Sequence, residues 1–370
     1  MWSLLLCIGL LTLLSGTING QYYGDVYFPK YDSDDYEEGY VGGWRPRPPW
    51  PREQPRPIER PLPRPWSRRP DTQPTDFTRN SDRSPIRPST SGSSNHRSLP
   101  LEDCGTITLR RILGGEIASP GQYPWSALLQ YRSGRGRLSF ECGGALINKR
   151  YVITAAHCLH KRIIRDYTLV NVRLGELDTS KDEDCVENAD SGDSKCADPP
   201  QDFGIERQIM HPQYRGDPEG KNDIGLIRLN RDAPTTDYIR PICLPIEESS
   251  SRTSGTNMIV SGWGITESGQ KSTQLRYVAV PNVDIEECSS QLNKNLDSTQ
   301  LCAGGQRGKD SCKGDSGGPL IEAGSINNDN RFVIKGLVSF GPRVCGSENK
   351  PGVYTRVSAF TDWILSTINS

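Results

Sequence analysis

The segment Gly314–Pro319, Gly-Asp-Ser-Gly-Gly-Pro, places the hydroxyl of Ser316 in a glycine-rich stretch that suits a tight turn. Because Gly314 has no side chain, main-chain N–H groups at this point can come close to a ligand. The N–H groups of Gly314 and Ser316 are therefore candidates for an oxyanion hole. A serine is a weak nucleophile by itself and needs a histidine base and a group that orients that base. The segment predicts catalysis only if both partners occur elsewhere in the chain.

Two further motifs supply these partners. His157 follows an apolar run in the segment Thr154–Cys158, and Asp223 precedes the apolar run 224–227. Each motif alone has an ordinary explanation: a packed histidine or metal ligand, a capping aspartate, a glycine turn. The three together favour nucleophilic catalysis. A zinc site is not expected, because the chain has only four histidines and no Cys-x-x-Cys pair.

The order His, Asp, Ser is that of the chymotrypsin-like, trypsin-type serine proteases, which the chain resembles from Ile112 to its end. The resemblance implies that His157 is the general base and later the general acid, and that Asp223 orients it. It also implies that Ser316 is the nucleophile and that the N–H groups of Gly314 and Ser316 receive the oxyanion. The family requires no cofactor.

The resemblance also implies a substrate pocket. Asp310 lies six residues before Ser316, where a carboxylate favours Arg or Lys before the bond to be cut. An exposed loop aspartate is the alternative. The resemblance adds three further substrate-binding residues, two of them glycines that keep the pocket open: Ser339, Gly341 and Gly352. Phe340 departs from the tryptophan usual in the family, which should alter packing near the pocket.

The segment Arg110-Arg111-Ile112-Leu113-Gly114-Gly115 resembles an activation site. Cleavage after Arg111 would free the α-amino group of Ile112, which would then pair with Asp315. A buried carboxylate without a partner is costly, so supplying the partner can reorder nearby loops. A flexible dibasic segment is the alternative.

The chain has eleven cysteines, and ten remain if Cys7 is removed with a signal peptide, an even number that suits an oxidising compartment. Sequence alone leaves their pairing open. The resemblance suggests the pairs Cys142–Cys158, Cys288–Cys302, Cys312–Cys345 and Cys104–Cys243, with Cys185 and Cys196 paired locally.

The acidic loop 175–198 is a candidate calcium site, since related proteases often bind calcium there through oxygen ligands and Glu176 matches a ligand position. A solvated loop held by a disulfide is the alternative. Because of the extra cysteine pair, Cys185 and Cys196, the catalytic part of the chain resembles arthropod clip-type haemolymph proteases. A clip domain would need six cysteines before the protease, and residues 21–103 contain none.

Short apolar or alternating runs separated by turn residues predict an all-β fold. The runs are 138–147, 151–155, 170–174, 224–229, 258–261, 275–280, 332–340 and 352–356. They fit the two six-stranded antiparallel β-barrels of the resembled family. Apolar residues at helical spacing from Phe360 to Ile368 predict a C-terminal helix capped by Ser358.

The N-terminal part differs in composition and divides into four segments. Residues 1–20 suit a signal peptide, too short to span a bilayer. Residues 21–43 form an acidic Tyr-rich tail with six acids and one lysine. Residues 44–98 form a disordered Pro/Arg-rich spacer with twelve arginines and five acids, which is a candidate for binding an anionic surface. Residues 99–111 form the tether and activation segment, and 112–370 the protease domain.

We therefore expect a secreted zymogen of a trypsin-like endopeptidase, activated after Arg111, in an extracellular immune, melanisation or clotting cascade. Its expected partners are a protein substrate, an upstream activating protease and a serpin-type inhibitor. No transmembrane segment and no specific nucleic-acid partner are expected, and the formal net charge of the chain is −1. A digestive protease and a non-catalytic surface-binding homologue are the alternatives.

Overall fold

The computed structural model describes residues 99, 103–107, 117–187, 194–217, 219–246, 257–326 and 329–370. The expected signal peptide, acidic tail and spacer lie outside the described residues, as do Arg111 and Ile112 of the expected activation site. No helix in the described part is long and apolar enough to cross a membrane.

Fourteen strands and three α-helices make up the described part. The strands in chain order are β1 Ser126–Ser133, β2 Leu138–Asn148, β3 Tyr151–Thr154, β4 Tyr167–Leu174, β5 Cys185–Glu187, β6 Ser194–Cys196, β7 Gln201–Met210, β8 Gly225–Leu229, β9 Asn257–Gly262, β10 Arg276–Val283, β11 Gln300–Gly304, β12 Pro319–Ile326, β13 Asp329–Phe340 and β14 Pro351–Arg356. The helices are α1 Lys161–Ile164, α2 Ile285–Leu292 and α3 Thr361–Ile368, and 3₁₀ turns span Ala156–Cys158 and Val357–Phe360.

Twelve of these strands close into two six-stranded antiparallel barrels. The first has the order β1-β2-β3-β8-β7-β4 and the second β10-β11-β14-β13-β12-β9, while β5 and β6 form a separate hairpin. The expected fold class and its C-terminal helix are confirmed. Closure leaves neither barrel with an unpaired edge, which removes a route to aggregation.

A continuous apolar cluster joins the barrels and the C-terminal helix. It includes Trp125 and Leu128 near the start of the first barrel, Ile334 and Leu337 on β13, and Ile364 on α3. All five side chains are at most 2 % exposed. Burying an aliphatic side chain of this size stabilises a fold by about 1.5–3 kcal/mol, so this cluster holds the loops from both barrels in a fixed arrangement.

The helix cap predicted at Ser358 is wrong. Ser358 lies inside the 3₁₀ turn, and α3 begins at Thr361 with Phe360 in the capping position. The Ser358 carbonyl accepts a hydrogen bond from the Thr361 hydroxyl at 3.3 Å. The aromatic ring of Phe360 is buried, so packing rather than a polar cap fixes where this helix starts.

The described part contains five disulfides, and they join the pairs that the family resemblance suggested: Cys104–Cys243, Cys142–Cys158, Cys185–Cys196, Cys288–Cys302 and Cys312–Cys345. The first of them ties the segment before the barrels to Cys243. There Gly105 donates a hydrogen bond to the Pro241 carbonyl and accepts one from the Phe332 amide. This segment is therefore fixed to the body by covalent and main-chain bonds.

Candidate active site

His157 and Asp223 form a buried hydrogen-bonded pair. His157 lies in the 3₁₀ turn after β3, and Asp223 lies two residues before β8, which pairs with β3. The His157 Nδ1 atom is 2.7 Å from Asp223 Oδ2, and the His157 main-chain N–H donates to Oδ1 at 2.8 Å. Both residues are 2 % exposed. The carboxylate thus holds the imidazole in one orientation, with Nε2 on the opposite side of the ring.

Two side chains that sequence reasoning did not assign to this pair support Asp223. The Ser339 hydroxyl donates to Asp223 Oδ2 at 2.6 Å, and the Thr355 hydroxyl donates to the Asp223 carbonyl at 2.7 Å. Burial disfavours the charged carboxylate, but the attraction of His157 and these hydrogen bonds outweigh it, so the pKa of Asp223 is lowered. Asp223 therefore remains an anion next to the imidazole.

The main chain around Ser316 contacts strands of both barrels. The Ser316 carbonyl accepts a hydrogen bond from the Gly143 amide on β2 at 2.8 Å and lies 3.6 Å from the Cys158 sulfur, which is in a disulfide. The next residue, Gly317, donates to the Val338 carbonyl on β13 at 2.8 Å. The His157 Nε2 atom is buried and makes no hydrogen bond with any described residue. Nε2 is therefore not committed to another group among the described residues.

The two N–H groups expected to form the oxyanion hole are open. Neither the Gly314 amide nor the Ser316 amide donates to another main-chain or side-chain acceptor in the described part of the chain. Gly314 has φ of +101°, which side-chain-bearing residues rarely adopt, so a glycine is required there.

Asp315 points away from the serine into a space walled by main chain. Its carboxylate accepts hydrogen bonds from the amides of Gly264 and Cys312, both at 2.8 Å. A β-carbon at either Gly262 or Gly264 would collide with this carboxylate. Burial raises the pKa of Asp315 to about 6, and no cationic side chain among the described residues pairs with it.

Asp310 lies in the loop that precedes Ser316 and is partly buried. It accepts hydrogen bonds from the amides of Ser311 at 2.8 Å and Gly346 at 3.2 Å. A β-carbon at Gly352 would come within 3.1 Å of its Oδ1 atom, so that glycine keeps the carboxylate reachable. Burial raises the pKa of Asp310 to about 6, although the two amides oppose the shift.

The two other predicted substrate-binding residues lie at the end of β13 or directly after it. Gly341 follows β13 closely, and a β-carbon on it would be 3.8 Å from the Gly352 α-carbon. The side chain of Ser339 is buried against Asp223, which leaves only its main chain for a substrate. The Phe340 ring contacts the Lys294 ammonium, 5.7 Å from the ring centroid.

The residues around Glu176 do not fit the expected calcium ion. One carboxylate oxygen pairs with Arg173 at 3.2 Å, and the other accepts from the Leu177 amide at 3.0 Å. Asp184, also buried, accepts from the amides of Leu177 and Asp178. Within the described ranges no group of three carboxylates converges at Glu176. The oxygens are already satisfied by a guanidinium and main-chain donors.

Comparison with known proteins places this geometry in a family. The family model described as Trypsin matches residues 112–364. The chain belongs to the trypsin family. Its fold, two barrels with the His157–Asp223 pair and Ser316 between them, is that of a trypsin-family serine endopeptidase.

Several curated relatives of this trypsin-family chain come from insects. It is 44 % identical over 271 residues to Phenoloxidase-activating factor 3 of Holotrichia diomphalia, covering 72 % of this chain and 75 % of that protein. It is 45 % identical over 273 residues to CLIP domain-containing serine protease B10 of Anopheles gambiae, covering 72 % of each. A crystal structure of the Drosophila Grass clip serine protease of the Toll pathway is similar, with 38 % identity and a TM-score of 0.64, covering 72 % of this chain and 75 % of that one.

Proposed function

We propose that this protein is the zymogen of a secreted trypsin-like endopeptidase that cleaves protein substrates after Arg or Lys. The observation that carries the proposal is the Asp310 carboxylate, which two amides hold in the loop before Ser316 and against which Gly352 lies closely. A guanidinium or ammonium group is the natural partner of a desolvated carboxylate, because charge-assisted hydrogen bonds repay its burial.

In the proposed reaction, the Ser316 hydroxyl attacks the carbonyl carbon of the bond after the bound Arg or Lys. His157 Nε2 takes the hydroxyl proton, and Asp223 stabilises the imidazolium through Nδ1. The carbonyl oxygen becomes an oxyanion and receives hydrogen bonds from the Gly314 and Ser316 amides. The imidazolium then protonates the leaving amine, and a water molecule hydrolyses the acyl-enzyme by the same route.

The proposed activating step is cleavage after Arg111. The new ammonium group of Ile112 would pair with Asp315, whose carboxylate is buried and has a raised pKa. The Asp315 main chain joins the two oxyanion donors, so its placement governs the hole. After cleavage, the Cys104–Cys243 disulfide would keep residues 21–111 attached to the catalytic part.

An extracellular proteolytic cascade is the setting we propose. Five disulfides are typical of an oxidising compartment, and relatives carry names such as Phenoloxidase-activating factor 3 and Melanization protease 1. An upstream protease, a serpin-type inhibitor and an anionic surface at the Arg-rich spacer complete the proposed partners. A digestive protease would use the same chemistry, but a tethered N-terminal region of about ninety residues has no use in bulk digestion.

The direct test uses full-length protein cleaved after Arg111 and a chromogenic Arg-amide. We expect hydrolysis after cleavage, and a preference of at least about 10²-fold in kcat/KM over the citrulline analogue, whose side chain has the shape of arginine without its charge. Lack of hydrolysis by correctly cleaved protein would make the chain a non-catalytic homologue. Equal hydrolysis of both amides would refute the role of Asp310.

The Arg-amide and its citrulline analogue also test the role of Asp310, through the pH dependence of their hydrolysis. Because the pKa of Asp310 is raised to about 6, the pocket carboxylate is ionised above that pH and protonated below it. We therefore expect the Arg-to-citrulline ratio of kcat/KM to rise from pH 5 to pH 8 with a midpoint near 6. Both substrates use the same catalytic groups, so a pH effect on the shared chemical step cancels from the ratio. In Asp310→Asn the ratio should be small and flat; a pH-dependent ratio in that variant would assign the titration to another group.

A further inference from the structure

Six exposed cations lie together on two adjoining loops of the first barrel. Three are in the β1–β2 hairpin and three are in α1 or directly after it, and we call this surface the basic rim: Arg132, Arg135, Arg137, Lys161, Arg162 and Arg165. The loops are neighbours because Ser133 at the end of β1 pairs with Tyr167 at the start of β4. The hairpin residue Gly134 is also close to Asp166, since a β-carbon there would be 3.8 Å from the Asp166 carbonyl oxygen.

Ion pairing distinguishes the basic rim from several other cations of the first barrel and its flanking loops. Carboxylate partners lie within 3.2 Å of Lys149, Arg150, Arg173, Arg228 and Arg240. No rim cation forms an ion pair with a carboxylate of the described residues. Asp166 is the single acid within the rim, and nearby Glu141 is neutralised by Lys271 at 2.6 Å. A net positive surface therefore remains open to an anionic partner.

The basic rim begins at the active site. α1 starts four residues after His157, and β2 runs from the hairpin to Gly143, whose amide bonds the Ser316 carbonyl. The five residue-to-residue steps from Leu138 to Gly143 span about 17 Å at the rise of an antiparallel strand. Ser316 is thus flanked by β13 on one side and by the strand that leads to the rim on the other.

Which part of a substrate reaches the basic rim depends on the side of Ser316 on which that part of the chain lies. In the proposed complex, with an arginine at Asp310, the substrate chain before the cut bond would lie along the end of β13 near Ser339 and Gly341, which the family resemblance assigns to substrate binding. The chain after the cut bond would then leave on the opposite flank, past Gly143 and the Cys142–Cys158 disulfide toward the hairpin. An extended chain covers about 3.3 Å per residue, so it reaches the rim about five residues beyond the cut.

We infer that the basic rim is a docking surface for an acidic segment of the protein substrate, beginning about five residues after the cut bond. The inference rests on the proposed function, whose site it extends. Arginine clusters recognise acidic motifs through charge-assisted hydrogen bonds. Leu138, within the rim, is 47 % exposed, one of four large apolar side chains exposed among the described residues. An apolar contact amid the cations suits a peptide better than a sulfated polysaccharide.

The test compares three peptides cleaved by the activated full-length protein. Each contains one arginine; the first has five glutamates from the fifth residue after it, the second has glutamines there, and the third has the glutamates before the arginine. We expect the first to exceed the second by about tenfold in kcat/KM at low ionic strength, because electrostatic attraction accelerates encounter. The advantage should shrink toward one at about 0.5 M salt. The third peptide should gain much less than the first.

Variants locate the effect. Arg135→Gln combined with Arg137→Gln should lower the glutamate-to-glutamine ratio at least about threefold, since each exposed pair contributes modestly. The matched control, Arg207→Gln on β7, should preserve the ratio. A ratio near one in the wild-type protein, or an equal gain from the third peptide, would overturn the inference while Arg-amide hydrolysis still supports the proposed function.

A binding assay makes the result independent of turnover. Fluorescence anisotropy of the labelled glutamate peptide with Ser316→Ala protein should show binding that is weakened by the double rim variant. If a heparin fragment binds the rim and the glutamate peptide does not, the surface serves a polysaccharide and the inference is wrong.

Discussion

Ser316→Ala should lower kcat for Arg-amide hydrolysis by the cleaved protein by about 10⁶-fold. The loss follows because the alanine side chain cannot form the acyl-enzyme, whereas the His157–Asp223 pair and the two open amides remain. Residual hydrolysis above the uncatalysed rate would come from those amides and from substrate binding. The measurement is the amide assay, with cleavage after Arg111 verified for each protein.

Two controls separate loss of chemistry from loss of structure. Ser268→Ala removes a serine whose hydroxyl is exposed and hydrogen-bonds to Thr266, and it should retain wild-type turnover. Ser316→Ala combined with His157→Ala should be about as inactive as the single variant, because the two groups act as a unit. Substantial hydrolysis by Ser316→Ala protein would overturn the assignment of the nucleophile.

The strands that the sequence predicts best are those with apolar residues on both faces or in strict alternation. β3, Tyr151–Thr154, is buried along its whole length and agrees with the predicted run to within one residue. β7, Gln201–Met210, is not predicted, because most of its side chains are polar and only Phe203 is fully buried. It is a strand because β4 and β8 supply partners on both edges, which is a consequence of barrel closure and not of local pattern.

The start of α2 is different, because a local signal marks it although the apolar pattern does not. The helix begins after Asp284, whose carboxylate accepts hydrogen bonds from the amides of Glu286 and Glu287. An aspartate followed by two glutamates in the first turn is a good helix-start signal. Capping residues in the amino-acid sequence are therefore enough to place this helix terminus.

The candidate site shows a different limit. Motif and spacing predict His157, Asp223 and Ser316 as the catalytic residues, because chemistry restricts which residue types can serve there. The support given to Asp223 by the Ser339 and Thr355 hydroxyls comes from residues over 110 positions away. Neither has a distinctive local pattern, so only the fold reveals them. The poor fit of calcium at Glu176 is likewise visible only in the fold, because the Arg173 guanidinium already pairs with that carboxylate.

Asp315→Asn should leave the cleaved protein about 10²–10³-fold less active toward the Arg-amide, as expected when a buried ion pair worth about 3–5 kcal/mol loses one partner. In the uncleaved chain the raised pKa means that ionising Asp315 is unfavourable, so this group costs stability as the pH rises above the ordinary pKa of an aspartate, near 4. The Ile112 ammonium would reverse that cost. Cleavage after Arg111 should therefore raise the melting temperature of the wild-type protein at pH 8.

The substitution Asp315→Asn should abolish the effect of cleavage on thermal stability. The variant has no carboxylate to pair with the Ile112 ammonium, so cleavage should give no rise in melting temperature. Asp329→Asn is the matched control: its exposed carboxylate pairs with Arg331, and both the thermal shift and the activity should follow the wild type. Because stability before and after cleavage is compared within each variant, a general folding defect cannot imitate the result. A full thermal shift with normal activity in Asp315→Asn would show that the new amino terminus acts elsewhere.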